Sequence, residues 1–122
     1  MGDRKQPPQL AAQARGRFGE NEAARWYLHH GYEVVARNWR CEHGEIDLIV
    51  ARSGVVVFSE VKARASAEFG GPQGAVDWRK QRRLRRLAAV WLDLHRPGAV
   101  AVRFDVVAVV GARVEVIEGA FE

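Results

Sequence analysis

Asp47 interrupts the apolar run Ile46–Val50, and Glu60 and Lys62 stand two positions apart in the segment that follows. Aspartate disfavours strands, and a buried charge normally pairs, becomes neutral or binds a metal. Hydrolysis of a phosphodiester needs such groups, because negative charge on the attacking and leaving oxygens must be offset. Mg²⁺ (or Mn²⁺) held by Asp47 and Glu60 would offset that charge, and Lys62 would orient the attacking water.

A further acid, Glu20, belongs to a predicted helix and is the third candidate metal ligand. It lies three residues before Ala23 and seven before Tyr27, so the helical period places it on the apolar stripe. The structural alternative is that Glu20 only favours the positive end of the helix dipole, as is usual for a glutamate in a first turn. For Glu20 taken alone, both interpretations stay open.

The other three residues have structural alternatives as well. Glu60, Lys62 and Arg64 share one face of a predicted strand, and at the edge of a sheet these charges would simply face water. Asp47 would then form a salt bridge with Lys62 or Arg64, without any catalytic consequence. However, three acids and a lysine all stand where burial penalises them, and this favours a common site.

The segments that must position these residues alternate between helical and strand patterns. Helices are predicted at about Arg15–His30 and about Ala75–His95. The residues expected on their buried stripes are Ala23, Ala24, Tyr27 and Leu28 in the first, and Leu84, Leu87, Ala88, Trp91 and Leu92 in the second. Strands are predicted at Tyr32–Arg40, Glu45–Arg52, Val55–Arg64, about Val100–Val110 and Arg113–Glu118.

The connections between these segments decide the fold class. Turns are predicted at Ser53-Gly54 and Gly111-Ala112, and the glycine-rich segment Ala65–Gly74 is predicted to be a loop. A strand–helix–strand passage is normally parallel, whereas a hairpin is antiparallel. The predicted fold class is therefore α/β, with a mixed central sheet flanked by helices.

The second predicted helix begins with a run of basic residues. Its positive charges are Arg79, Lys80, Arg82, Arg83, Arg85 and Arg86. All of them except Arg85 cluster on the side away from the apolar stripe, which predicts a strip that binds an anionic backbone, above all nucleic acid. The structural alternative is a solvated helix face.

Composition excludes several other classes of protein. The 122 residues, 48% of them apolar, fit one domain at 15–122 after a polar, flexible tail at 1–14. The single cysteine, Cys41, allows no internal disulfide, and the four histidines lack zinc-ligand spacing. The apolar runs are far shorter than the ~20 residues of a membrane helix. We therefore expect a cytoplasmic protein without a membrane partner.

Several segments together resemble the uncharacterised bacterial YraN family. They are GRFGENEAA, RNWRCEHGEIDLIV, VFSEVKARASAEFG, AVDWRKQRRL and RFDVV, and they extend from about Arg15 to Val110. That family looks like a member of the PD-(D/E)XK nuclease superfamily, related to Holliday junction resolvases. The resemblance implies a restriction-endonuclease-like α-β-β-β-α-β core.

The same resemblance assigns roles to individual residues. Asp47, Glu60 and Lys62 match the D…E-x-K signature, Glu20 matches the acid of the first helix, and Lys80 matches a basic position of the second helix. Asp105 in RFDVV matches too and is interpreted as structural. Ser59 stands where valine is usual, on the opposite face from the site.

The leading hypothesis is a Mg²⁺-dependent endonuclease that acts on DNA, including branched or structured DNA. Its catalytic candidates are Glu20, Asp47, Glu60 and Lys62, and its nucleic-acid-binding candidates are Arg64, Arg79, Lys80, Arg82, Arg83 and Arg86. The alternative is a non-catalytic nucleic-acid-binding module in which the acids and Lys62 form a buried ion-pair cluster. A third hypothesis is a protein-interaction adaptor that uses the four tryptophans. Kinship with resolvases is compatible with a homodimer, since symmetric cutting uses two sites.

Overall fold

The computed structural model describes residues 8–64 and 77–121 of the chain. The elements are α1 (Pro8–His29), β1 (Glu33–Cys41), β2 (Gly44–Arg52), β3 (Val55–Arg64), α2 (Trp78–His95), β4 (Ala101–Val110) and β5 (Arg113–Phe121). Their order confirms the predicted α/β class and is compatible with an α-β-β-β-α-β core followed by one more strand. The predicted loop Ala65–Gly74 lies outside the described residues.

The five strands form one mixed sheet in the order β1-β2-β3-β4-β5. β3 runs parallel to β4 from the pair Val55–Ala101 to the pair Arg64–Val110, and the other three strand pairs are antiparallel. β3 is therefore the central strand. The alternative in which Glu60 and Lys62 belong to an edge strand is wrong, because β3 pairs with both β2 and β4, although its pairing with β2 ends at Ser59.

The two helices cover opposite faces of the sheet and define two apolar clusters. Tyr27 of α1 packs with Leu48 and Val57 on one face, whereas Leu87 and Trp91 of α2 belong to the cluster on the other. Strand alternation explains the division, since successive residues of a strand face opposite sides. Neither helix within the described residues is long and apolar enough to cross a membrane.

Helix α1 begins earlier than its periodicity predicts. It starts at Pro8 rather than about Arg15, so residues 8–14 of the predicted tail are helical. Proline is tolerated in the first turn of a helix, where its missing N–H has no intrahelical partner to lose. The prediction of Leu28 on the buried stripe is also wrong, because Leu28 is 57% exposed. It lies about 100° around the helix from Tyr27, at the edge of the covered face.

The structure confirms most of the predicted apolar stripe of helix α2 but places the start of the helix later than predicted. Leu84, Leu87, Ala88 and Trp91 are buried as predicted, whereas Leu92, also predicted on this stripe, is half-buried. Asp77 caps the helix, and its Oδ1 accepts hydrogen bonds from the backbone N–H groups of Arg79 and Lys80 at 3.0 Å each. The cap places the first helical residue at Trp78 rather than near Ala75.

A buried polar network ties α1 to the sheet. Asp105 is 0% exposed and accepts a 2.7 Å hydrogen bond from the hydroxyl of Tyr27. The guanidinium of Arg103 binds both carboxylate oxygens of Asp105, at 2.8 and 2.9 Å, and the Tyr27 hydroxyl lies 3.1 Å from Ser59 Oγ. This network accounts for Asp105 as a structural residue, and it fixes the face of α1 that carries Glu20 against β3.

Candidate functional site: an acid cluster beside paired lysines

Asp47 lies where the alternation of β2 is interrupted. Ile46 belongs to the apolar cluster on the α2 side, whereas Leu48, two residues later, belongs to the cluster on the α1 side. The pairing of β2 with β3 extends from Arg52–Val55 to Leu48–Ser59. Directly after this end, Asp47 Oδ2 accepts a 2.8 Å hydrogen bond from the backbone N–H of Val61. The Asp47 side chain thus takes the place of a backbone acceptor at the point where the two strands separate.

Three carboxylates converge at this point. One carboxylate oxygen from each of Glu20, Glu45 and Asp47 lies within 4.8 Å of the other two. Helix α1 supplies Glu20, and β2 supplies both Glu45 and Asp47. The structure thus brings together Glu20 and Asp47, two of the three predicted metal ligands. Glu45 was missed, although its position two residues before Asp47 in the same strand is a signal that could have identified it.

The electrostatics of Asp47 reflect this crowding. Burial, followed by the negative charges of Glu60, Glu20 and Glu45, raises the pKa of Asp47 to about 7. The hydrogen bond from Val61 acts in the opposite direction, because it favours the ionised form. A cluster of this kind is what a divalent cation stabilises, since the cation offsets the repulsion among the acids.

Glu60 and Lys62 lie next to the three acids, on the face of the sheet that α2 covers. Lys62 Nζ is 3.7 Å from Glu60 Oε1, and both side chains are largely covered. Lys62 therefore pairs with Glu60 rather than with Asp47, so the alternative of an Asp47–Lys62 salt bridge is not what the described residues form. Glu60 is close enough to raise the pKa of Asp47 but is outside the group of three converging carboxylates.

The structure places Lys80 apart from the other basic residues of the predicted strip. Lys80 is half-buried, and its side chain lies next to that of Lys62. This contact, followed by burial, lowers the pKa of Lys80. Lys80 also lines a small cavity together with Glu45, Glu60 and Arg83. It thus belongs to the site at the sheet, whereas the helical period alone predicts that it lies with the exposed arginines.

The exposed arginines of α2 form a separate basic surface. Arg79, Arg82, Arg83 and Arg86 are exposed and line an open hollow of about 720 Å³ together with His43 and Trp78. Arg85 lies apart from them, with its guanidinium 5.3 Å from the ring centroid of Phe121. Arg64 ends β3, but its side chain is outside the described part of the chain. Its predicted role in nucleic-acid binding therefore stays a prediction.

The donor set fits a hard divalent cation. Mg²⁺ prefers carboxylate oxygens and keeps open positions for water and phosphate, and Glu20, Glu45 and Asp47 present one oxygen each within a short distance of one another. The lysine pair beside them is suited to an anion, because two adjacent ammonium groups repel each other and an anion between them relieves that repulsion. The arrangement therefore places three carboxylates suited to a cation beside two lysines suited to an anion.

Fold and site together define an α/β domain with an acid cluster where strands β2 and β3 of a mixed sheet separate. Residues 19–109 match the uncharacterised protein family UPF0102, and the chain belongs to this family, which is the YraN family that the sequence resembles. A UPF0102 protein of Beutenbergia cavernae is 50% identical over 114 residues, which cover 89% of this chain and 97% of the relative.

Two further relatives have the same extent. A UPF0102 protein of Moorella thermoacetica is 46% identical over 118 residues, 92% of this chain and 98% of the relative. A UPF0102 protein of Frankia casuarinae is 47% identical over 116 residues, 91% of this chain and 98% of the relative. The similarity thus extends over nearly all of each protein.

Proposed function

We propose that this protein is a metal-dependent endonuclease that hydrolyses phosphodiester bonds in DNA. The observation that carries the proposal is the convergence of Glu20, Glu45 and Asp47 beside Glu60 and the Lys62–Lys80 pair. An acid cluster next to two lysines matches the charges of a phosphodiester held by a divalent cation. The resemblance of the D…E-x-K residues to PD-(D/E)XK nucleases supports the same activity.

In this proposal, Glu20, Glu45 and Asp47 hold Mg²⁺ or Mn²⁺, with Glu60 adjacent to them. The cation supplies positive charge that offsets the negative charge of the phosphodiester and of the group that attacks it. Lys62 donates hydrogen bonds to the attacking water and to a phosphate oxygen, and its ion pair with Glu60 orients it for this role. Lys80 holds the phosphate from the side of α2.

The basic surface of α2 supplies the remaining contacts in this proposal. Arg79, Arg82, Arg83 and Arg86 bind backbone phosphates on either side of the cleaved bond, because guanidinium groups pair well with phosphate oxygens. Arg83 lines both the hollow and the small cavity beside Glu45 and Glu60, so the two surfaces are continuous. We place this activity in the cytoplasm, and a homodimer would provide two such sites.

The test is cleavage of labelled DNA by the purified protein with Mg²⁺, Mn²⁺ or EDTA. Linear duplex, single-stranded and branched substrates should be compared, and we expect cleavage of at least one of them that EDTA removes. Asp47→Asn, Glu60→Gln and Lys62→Ala should each abolish cleavage while DNA binding persists. Glu115→Gln, which changes an exposed acid on β5, is the matched control and should cleave as the unaltered protein does.

The outcome that contradicts this proposal is equally specific. If DNA binds but no substrate is cut with either metal, the protein is a non-catalytic nucleic-acid-binding module. The Lys62–Glu60 ion pair would then be structural, and Lys62→Ala would lower the free energy of unfolding without any effect of Mn²⁺. Equal cleavage by the three site variants and by Glu115→Gln would mean that another site performs the reaction.

A further inference from the structure

Trp78, at the first position of α2, is an aromatic side chain that the fold leaves in solvent. It is 60% exposed, whereas Trp91 of the same helix is buried in the apolar cluster. Arg79 lies beside the Trp78 ring, with its guanidinium carbon 5.2 Å from the ring centroid. This cation–π contact restrains the ring while most of its surface stays accessible. A restrained and exposed indole is a preformed surface for a flat partner.

The surroundings of Trp78 specify the charge of that partner. The open hollow holds about 720 Å³ and is lined by Trp78, His43 and the guanidinium groups of Arg79, Arg82, Arg83 and Arg86. These arginines are spaced three and four residues apart and therefore share one side of the helix. The volume is within the range of pockets that bind small ligands, which is about 300–1,000 Å³. An aromatic surface beside a row of arginines fits a flat group attached to phosphates.

The hollow lies directly beside the acid cluster. Arg83 lines the hollow, and it also lines the small cavity that Glu45, Glu60 and Lys80 share. On the sheet side, His43 of the hollow and Glu45 of the acid cluster are separated by a single residue, Gly44. A Cβ at Gly44 would lie 3.6 Å from Arg83 Cδ, which shows how closely this turn approaches α2. A phosphate at the acid cluster would therefore place a neighbouring nucleotide at the hollow.

We propose that the hollow is a subsite for one unpaired base, which stacks on Trp78 while the arginines hold the adjoining phosphates. The inference rests on the proposed function, and it specifies the substrate as DNA with an unpaired nucleotide beside the cleaved bond. Within a duplex each base is already stacked between its neighbours and its flat faces are covered. Away from the ends of a duplex, only an unpaired base can present a face to Trp78.

Binding measurements in EDTA test the subsite without cleavage. The probes are two fluorescein-labelled DNA duplexes with equal numbers of phosphates, one fully paired and one with a short internal run of unpaired thymidines. Trp78→Ala should weaken binding of the second probe about 5- to 150-fold, the loss expected when one base no longer stacks on an aromatic side chain. Binding of the paired probe should stay within about twofold, since its contacts are mainly electrostatic.

Two further variants separate stacking from other causes. Trp78→Phe keeps an aromatic face and should retain most of the preference for unpaired thymidines. Leu94→Ala removes an equally exposed apolar side chain from the last turn of α2 and should bind both probes as the unaltered protein does. Trp78 fluorescence gives a direct readout, because the unpaired probe should quench the emission of the unaltered protein more than that of Trp78→Phe.

The result that overturns the subsite is an equal effect of Trp78→Ala on both probes, including no effect on either. Such a result leaves the nuclease proposal intact if the protein still cleaves DNA with Mn²⁺. Conversely, loss of the preference in Trp78→Ala together with no cleavage under any condition supports the subsite and contradicts the nuclease. Failure of the unaltered protein to bind either probe contradicts both.

Discussion

The carboxylate of Asp47 is bound to the backbone between Glu60 and Lys62, because its Oδ2 accepts a 2.8 Å hydrogen bond from the N–H of Val61. One bond thus sets the position of the β2 acid relative to both charged residues of β3. The same bond favours the ionised carboxylate, whereas burial and the neighbouring acids favour the protonated one. Asp47 is therefore held in position and electrostatically destabilised at the same time.

The first prediction concerns the pH dependence of stability without metal. The pKa of Asp47 is raised from 3.8 to about 7 in the folded chain, so between these values the folded state binds more protons than the unfolded state. The contribution of Asp47 to stability therefore falls as pH rises from about 4 to about 7. Asp47→Asn removes this contribution and keeps an oxygen acceptor for Val61.

Urea unfolding in EDTA at pH 5 and pH 8 measures this effect. The free energy of unfolding of Asp47→Asn, relative to the unaltered protein, should be greater at pH 8 by on the order of 1 kcal/mol or more, since one pKa unit is worth about 1.4 kcal/mol. Glu115→Gln should show no such difference. A difference for Asp47→Asn that does not depend on pH would mean that its carboxylate is not destabilised in the folded chain.

The second prediction concerns the approach of α1 to β3. A Cβ at Gly19 would lie 2.7 Å from Ala63 Cβ, which is too close for two carbon atoms, so Gly19→Ala must move α1 away from the sheet. Glu20 would move with it. We expect a loss of about 1–3 kcal/mol in the free energy of unfolding, as for other overpacked sites, together with weaker Mn²⁺ binding.

Gly16 provides the matched control for this substitution. It lies in the same helix, and a Cβ there would have nothing within 4 Å. Gly16→Ala should stabilise the protein by about 0.5–1 kcal/mol, because alanine loses less backbone entropy than glycine in a helix. Thermal unfolding and Mn²⁺ titration of the two variants give the comparison. Equal behaviour would show that α1 can shift without cost.

The third prediction concerns the buried network around Asp105. Burial, followed by the charge of Asp105, raises the pKa of Tyr27 well above its ordinary range, so its hydroxyl stays protonated and donates to Asp105. Tyr27→Phe should lower the free energy of unfolding by about 1.5–3 kcal/mol, the range for a hydrogen bond to a charged group. Tyr32→Phe removes one acceptor of Arg103, which keeps both bonds to Asp105, and should therefore cost less, about 0.5–1.5 kcal/mol. Denaturant unfolding measures both losses in the free energy of unfolding. Equal losses would mean that the hydrogen bond from Tyr27 to Asp105 contributes no more than the one from Arg103 to Tyr32.

The fourth prediction concerns the basic surface of α2. Each backbone phosphate of duplex DNA that a variant no longer binds reduces the slope of log K against log salt by about 0.9. Arg82→Ala combined with Arg86→Ala should therefore flatten that slope by roughly two and weaken all sequences almost equally. Because both side chains are exposed, stability should change by no more than about 0.5 kcal/mol for each.

Titration at several salt concentrations checks this prediction, with Arg85→Ala as the control. Arg85 is equally exposed but lies over Phe121, away from the hollow, so its removal should leave the slope unchanged. An unchanged slope in the double variant would mean that the basic face of α2 is only solvated. DNA would then bind to another surface.

Local patterns were sufficient to predict most elements but not their first residues. β3 occupies Val55–Arg64 as predicted, because its alternation and the Ser53-Gly54 turn are both encoded locally. Ser53 and Gly54 both have positive φ, 49° and 78°, as a tight hairpin requires. The predicted starts of both helices were wrong, because apolar spacing reveals neither the tolerance of a first helical turn for Pro8 nor the capping of backbone N–H groups by Asp77.

The site was predictable only where a residue type conflicted with its surroundings. Asp47 was identified because a carboxylate in an apolar run needs a partner, and Glu20 because it follows an apolar stripe. Glu45 stands at the start of a strand, where an acid is ordinary, so only its position two residues before Asp47 could have marked it. The burial of Lys80 depends on β3 lying beneath α2, a relationship between distant segments that no helical period contains.

The separation of β2 from β3 also makes one amide a reporter of the acid cluster. Along the rest of the β2–β3 ladder, the exchange of backbone protons with solvent depends on opening of the sheet. At Val61 the acceptor is a titratable side chain instead, so the lifetime of that proton follows the charge and position of Asp47. The hydrogen-exchange rate of the Val61 amide should therefore change when the carboxylates of the acid cluster are protonated or bind a cation. No probe has to be attached at the site to measure it.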